Sequence, residues 1–373
     1  MIMPEQQTEQ KPITKLRELE KWQKKKLFLT VGLLALVFTT YITVTAVSLF
    51  KDRSAEEGYW TSSLQTPGDV MERVDALSAG ATDVLVGTYV ENLKDVSLKN
   101  SSYQVVFQAW FRWEGDPELD MAGNFRVYKG TVSGKEIIRD YHEGNVNYQL
   151  VRATATVSKN FWTRRFPLES HQLRFYLESD YPVEKVRFVP DKENSGINAS
   201  LSVNGFNLVR HEVNDYYARY DNGHSDPEFT EVITPELVTA IEINRTSFGL
   251  YAKCFIALIG TIGWIMITLY INTYHHVDPL GMIPAALFGT VSNIMVGANL
   301  LPDALEMGLL EYVNIMGIMI ILSGALSIIN VNRIRNKYSD RGFAQLFGRT
   351  MFGTILLFTL AGNLILPLVS YLF

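Results

Sequence analysis

Residues 161–175 read FWTRRFPLESHQLRF. Glu169, Ser170 and His171 stand together in this stretch, offering the residue types of a nucleophilic triad. Successive residues of an extended strand point to opposite faces, so Ser170 and His171 cannot meet side chain to side chain there. No G-x-S-x-G elbow presents the serine, and triad partners normally come from distant parts of a chain. The stretch therefore reads as architecture, two strand-like segments with a compact turn around Pro167. No enzyme is expected.

The same texture continues on both sides. SYQVVFQAWFRW (102–113), YQLVRATATV (148–157), HQLRFYLES (171–179), KVRFV (185–189), FNLVRHEV (206–213) and TEVITPELVTAIEIN (230–244) are rich in β-branched and aromatic residues. Clusters such as EGDP, KNSS, VNG and DNGHSDP supply turns between them. Many short strands at near-regular spacing predict an Ig-like β-sandwich. Only residues 54–80 look partly helical within this region, and no internal repeat is visible.

Beyond the strands the composition changes. The 373-residue chain is 47% hydrophobic with a formal net charge of −5, and the apolar residues are segregated. Residues 27–50 carry no charge over 24 positions, and further apolar runs cover about 250–272, 280–301, 308–331 and 350–373. A helix needs about 20 apolar residues to cross a bilayer, so five spans are expected. Lys/Arg residues crowd the segment before the first span and the linker after the fourth, where Arg333, Arg335, Lys337, Arg341 and Arg349 lie. Cytoplasmic loops collect such charge. The expected topology is an N-terminus inside, residues 51–248 outside and a C-terminus outside, in a prokaryotic inner or plasma membrane. The first span is read as a retained anchor or as a signal sequence; either exports the strand-rich region. The sole cysteine, Cys254, lies in an apolar run, so no intrachain disulfide is possible. Over 51–248 there are 30 Asp/Glu against 21 Lys/Arg, a balance of −9, which argues against nucleic acid as a partner.

Phe166-Pro167-Leu168-Glu169-Ser170, within RRFPLESHQLRFYL, resembles the strand-6/7 loop of prokaryotic pentameric ligand-gated ion channels. VGTYVENLKDVSLKNSSYQVVFQAWFRW is similar to the first two strands of that family's extracellular domain, and SNIMVGANLLP (292–302) to the end of its pore helix. Arg245 matches the arginine heading the first channel helix. The resemblance covers about residues 83–373 and leaves the N-terminal anchor outside it. With the segments read from hydropathy and charge, five are expected: a basic N-terminus (1–26), an anchor (27–50), a leading linker or helical element (51–82) and, as the resemblance implies, an extracytoplasmic β-sandwich (83–248) and a four-helix channel domain (249–373).

Residue by residue, the resemblance implies that Glu169 in the loop with Phe166 and Pro167 faces Arg245, with Asp95 as an acidic neighbour. It implies a pore helix lined by Leu280, Pro284, Leu287, Val291 and Ile294, with Asp278 as a charge ring favouring cations. A register one residue away would present Gly281, Ala285, Phe288 and Ser292 instead. Ligand-site aromatics are expected at Tyr181, Tyr216, Tyr220, Phe229 and Trp110, where ring faces attract ammonium groups. The chain departs from the family pattern between Trp113 and Phe166, where the Trp-x-Pro element is missing. The expected assembly is a homo-oligomer, a pentamer, in the lipid bilayer, responding to a small ligand, proton or cation, with no cofactor. A non-conducting sensor or assembly module with the same fold is the alternative. His275, His276 and Asp278 lack further ligand residues to complete a metal site and read as a solvated loop.

Overall fold

The structure, a computed structural model, describes residues 19–221, 231–246, 248–301 and 307–372. The chain divides into two compact units. One holds residues 54–163 and 169–247; the other holds the helices before and after them together with Arg164–Leu168.

The described residues of the first unit form ten strands in two sheets. β1 (Thr82–Ser97), β2 (Ser102–Glu114), β4 (Gly130–Glu143), β5 (Val146–Ser158), β7 (Val186–Pro190) and β8 (Gly196–Ile197) form one, ordered β4-β5-β2-β1-β7 with β8 also on β1. β3 (Phe125–Val127), β6 (Ser170–Ser179), β9 (Phe206–Asp221) and β10 (Glu231–Arg245) form the other, ordered β3-β6-β10-β9. Alternation decides which residues go inward: Val151, Ala153, Ala155 and Val157 of β5 are all buried. They join an apolar cluster drawn from both sheets, in which the Phe107 and Phe175 rings lie 4.8 Å apart.

β6 and β10 are buried on both faces. Their second face is covered by the last turns of helix α1 (Lys21–Ser62). Trp60 packs with Val238 and Ala240, and Gln172 Nε2 donates to the Glu56 carbonyl at 2.7 Å. A short helix α2 (Gly68–Leu77) comes next, seating Val70 and Val74 on Tyr217, Val183 and Ile233.

The helical unit contains the N-terminal part of α1 and α3 (Gly249–Tyr274), α4 (Ile283–Leu300), α5 (Leu309–Lys337) and α6 (Arg341–Leu372). α1 packs on the later helices: Phe38 stacks on Phe358 at 5.3 Å, and the Tyr41 hydroxyl donates to the Tyr312 carbonyl at 2.8 Å. Gly317 and Gly324 of α5 lie under Leu258 and Ile265 of α3, where an added Cβ would come within 2.5 and 2.7 Å. Small residues permit such close helix approach in membranes.

Two expectations are corrected. The strands make two small sheets, joined by parallel as well as antiparallel pairings, and not one β-sandwich ahead of a four-helix bundle. Among the described residues four helices, not five, are long and apolar enough to cross a membrane, and they include N-terminal α1; α3, α5 and α6 are the others. The run expected as the pore span is shortened by its entry. Asp278 and Pro279 lead into a single 3-10 turn at Leu280–Met282, and the α-helix proper has 18 residues. At 1.5 Å per residue that is about 27 Å, just under a typical hydrocarbon core of about 30 Å. The apolar run 27–50 is also longer as a helix than its sequence suggests, since α1 continues without a break through Ser62.

Candidate functional site

The turn around Pro167 is anchored in the helical unit. Phe166, Pro167 and Leu168 are buried, and the Phe166–Pro167 peptide is cis. Leu309 N donates to the Arg164 carbonyl at 2.6 Å, and Arg165 Nη1 to the Ser370 carbonyl at 3.4 Å. Arg165 also faces Asp52, Nε to Oδ2 3.6 Å. An added Cβ on Gly308 would stand 2.4 Å from the Arg164 carbonyl oxygen, so the turn needs a residue without a side chain there.

Glu169, the next residue in the chain, belongs to the β unit and is fully buried. Its Oε1 receives Arg245 Nε at 2.9 Å and Nη2 at 2.7 Å. The structure thus brings these two residues together across 76 positions. β10 ends at Arg245, and α3 begins four residues later. The Arg245 guanidinium also lies 4.0 Å from the Phe206 ring centroid. His171 Nε2 stands 3.4 Å from the same Glu169 oxygen, its ring wedged between Phe161 and Phe206. Burial penalises the carboxylate, yet His171 and Arg245 hold Glu169 below the ordinary carboxyl range. Burial pushes the His171 imidazole down, which keeps it neutral near pH 7. Asp95 is not part of this cluster; it is exposed with φ of 50° at the end of β1. Ser170 Oγ donates to Glu56 Oε2 at 3.0 Å, on the side of the strand opposite His171.

The expected ligand aromatics separate. Tyr216 and Tyr220 line one pocket of about 740 Å³ with Tyr59, Tyr128 and Tyr176. Trp110 lies on the other sheet, over Gly87, and donates its indole N–H to Asp191 at 3.0 Å. Tyr181 packs at the edge of the core with the Lys185 ammonium 4.1 Å from its ring. Phe229 lies outside the described residues.

In the pocket, Glu236 is 2% exposed and its Oε1 has no hydrogen-bond partner. Its cross-strand neighbour on β6 is Glu178, which is already engaged by Arg126 in two bonds of 2.9 and 2.7 Å and by Thr234 at 2.9 Å. Burial, then the Glu178 charge, push the Glu236 carboxyl up to about 8. Arg174 sits further along β6, stacked on the rings of Tyr59 and Trp60 at 4.7 and 5.5 Å. It donates to Ser63 Oγ, to Gln172 Oε1 at 2.8 Å and to two carbonyls of α1. All of these acceptors are neutral.

Along α4, Leu280, Leu287, Val291 and Ile294 are exposed together with Pro284, while Ala286, Thr290 and Asn293 are buried. Phe288, at 76%, is the most exposed large apolar side chain of this helix, so both registers read from the sequence fall on the uncovered side. Asn293 Nδ2 donates to Asn314 Oδ1 of α5 at 2.8 Å, fixing the buried face. Asp278 Oδ1 accepts the Leu280 N–H at 3.2 Å. Among the described residues no group of three His, Cys, Asp or Glu side chains is arranged to hold a metal.

Sequence reasoning missed Glu236, Arg174, Lys159 and Tyr59, because each stands on a different element and none forms a local motif. The one available signal was polar residues at alternate positions of strands otherwise fit for burial. The chain matches no family model and no curated protein.

Proposed function

We propose that the chain is a subunit of a pentameric-type ligand-gated ion channel. A ligand held by the extracytoplasmic β unit would bias a closed–open equilibrium of membrane helices. The observation that carries this reading is the buried Glu169–Arg245 pair, whose arginine ends the strand leading into α3. A buried charge-assisted pair is directional and costly to break, so a shift of either partner is passed along the chain. The segment just before Glu169 is meanwhile held among the helices by Arg165 and Leu309, so both ends of the pair continue into the helical unit.

The uncovered apolar face of α4 supports a pore-lining role for Leu280, Pro284, Leu287, Val291 and Ile294, where constrictions gate by dewetting. Asp278 ahead of it supports a cation preference. Retention of the N-terminal anchor is supported by its packing on α5 and α6. Purified protein reconstituted in planar bilayers should pass unitary currents, altered by Leu287→Ser. Silence from intact, cross-linkable oligomers across pH and ligand panels would sink the channel reading. One observation favours a second reading: the uncovered face of α4 presents Leu287, Phe288, Val291, Ile294 and Met295, which suits contact with a partner helix in a non-conducting sensor. Cross-linking that captures a hetero-oligomer in place of a homopentamer would establish it.

A further inference from the structure

The tyrosine-lined pocket carries more charge than its surroundings neutralise. Arg174 is 8% exposed, and its Nε is buried without a hydrogen-bond partner. Lys159 lines the same pocket near enough for the two charges to repel. Among the described residues no carboxylate lies within ion-pair distance of either group. Burying an uncompensated cation costs several kcal/mol in general, and here buried Arg174 is kept beside half-buried Lys159 at one end of a pocket that opens to solvent. A structural role does not require this, since Arg174 could anchor α1 through its carbonyls as an isolated surface arginine does.

The other end carries no mobile negative charge to offer a cation. Glu236 faces Glu178, and a second carboxylate beside the first is opposed by their repulsion. Glu236 thus presents a carboxylic acid, whose O–H is a donor. Ala240, the cross-strand partner of Arg174, lies four positions beyond Glu236, which places the acidic and basic ends about 13 Å apart along the sheet. Tyr176, opposite Val238, lies between them, its ring 5.9 Å and 68° from that of Tyr216, the β9 partner of Glu236, with Tyr59 and Tyr128 also lining the pocket. Donors line both ends and aromatic faces line the middle.

We propose that this pocket binds a small organic anion, its carboxylate on Arg174 and Lys159 and its apolar or aromatic body against the tyrosines, with Glu236 donating a hydrogen bond at the far end. The site is built by the end of α1, so it lies within the β unit and needs no second copy of the chain. It gives the channel reading its missing ligand and rests on that reading only for the effect at the pore; binding itself stands without it.

Calorimetric titration of the detergent-solubilised full chain with benzoate, benzylamine and inorganic phosphate tests this. Benzoate should bind saturably near pH 7, and Lys159→Gln should weaken it about tenfold or more. Ala218→Trp, which fills the pocket, should abolish binding and serves where Lys159→Gln misfolds. Benzylamine binding that is lost in Glu236→Gln would overturn the proposal in favour of a cation site. Benzoate binding untouched by both variants, or matched by phosphate, would overturn it as non-specific, and no binding by any probe overturns it outright. Binding without current removes the channel reading and leaves the site; current without binding does the reverse.

Discussion

Glu169 and Glu236 are both nearly inaccessible carboxyls, and their partners give them opposite chemistry. Arg245 sits on Glu169, so its charge is retained; Glu236 faces another acid, so its proton is retained. Removing one partner of a buried pair typically costs about 3–5 kcal/mol, whereas replacing both by apolar residues is often near neutral. Arg245→Gln should therefore lower stability by about 3 kcal/mol, and Glu169→Leu/Arg245→Leu should recover most of it in denaturant unfolding of the solubilised chain. Acid acts on this cluster through two groups. A depressed carboxyl stabilises above its unfolded value near 4.5 and loses that contribution as pH falls through its folded value. A depressed imidazole such as His171 destabilises as pH drops below 6.5, because only the unfolded chain then takes up the proton. Acid should thus weaken the cluster twice over. Glu236 behaves oppositely: its folded value near 8 means stability is lost as pH rises from about 4.5 to about 8. Glu236→Gln should raise stability, read by thermal and denaturant unfolding, more at pH 8 than at pH 5, with a gain on the order of 2–4 kcal/mol at the higher pH. Equal shifts at the two pH values would show that Glu236 is ionised in the fold.

Elements were legible where one face meets the core. The runs 102–113, 148–157 and 171–179 lie within β2, β5 and β6, because β-branched and aromatic residues alternate with polar ones there. β4 escaped notice. Nearly all of it is exposed, and irregularities between Val132 and Gly134 and between Ile137 and Arg139 break its alternation. The tail of α1 escaped for a different reason. Its residues 51–62 are charged and mixed, and only the tertiary contact of Trp60 and Glu56 with β6 and β10 gives them a buried side. The same covering helix explains why β6 carries Ser170, Gln172, Arg174 and Glu178 on a buried face. The pocket was invisible because its members come from separate elements, α1, β6, β9 and β10, far apart in the chain. The Glu169–Arg245 contact was anticipated only through resemblance, since nothing local links positions 76 apart. The Pro167 turn offers the clearest test at this scale. Gly308→Ala places a methyl against the Arg164 carbonyl oxygen, which is backbone and cannot swing aside. A loss of about 1–3 kcal/mol is expected, while Gly353→Ala, with open space around it, should leave the melting temperature unchanged.

At the scale of the whole molecule, the distribution of Lys and Arg sets a test of what helix length alone leaves open. α1, α3, α5 and α6 suffice for four crossings. With only these crossing and the N-terminus inside, α1 would carry the β unit outward and α3 would return to the inner side. α5 would then deliver Arg333, Arg335, Lys337 and Arg341 to the outer surface, against the preference of Lys and Arg for the cytoplasmic side. If α4 also crosses, these residues share a side with Lys21, Lys24, Lys25 and Lys26, and the charge pattern is satisfied. A helix about 27 Å long needs only slight thinning of the bilayer, at a fraction of a kcal/mol per Å. The native cysteine is buried at 2% exposure, so it need not be removed before labelling. In intact cells a membrane-impermeant maleimide should modify Ser133→Cys, on exposed β4, and spare Lys24→Cys and Ser339→Cys until the membrane is opened. Labelling of Ser339→Cys together with Ser133→Cys would mean that α4 does not cross. The face of Leu287, Val291 and Ile294 would then not line a pore, and the channel reading would fall with it.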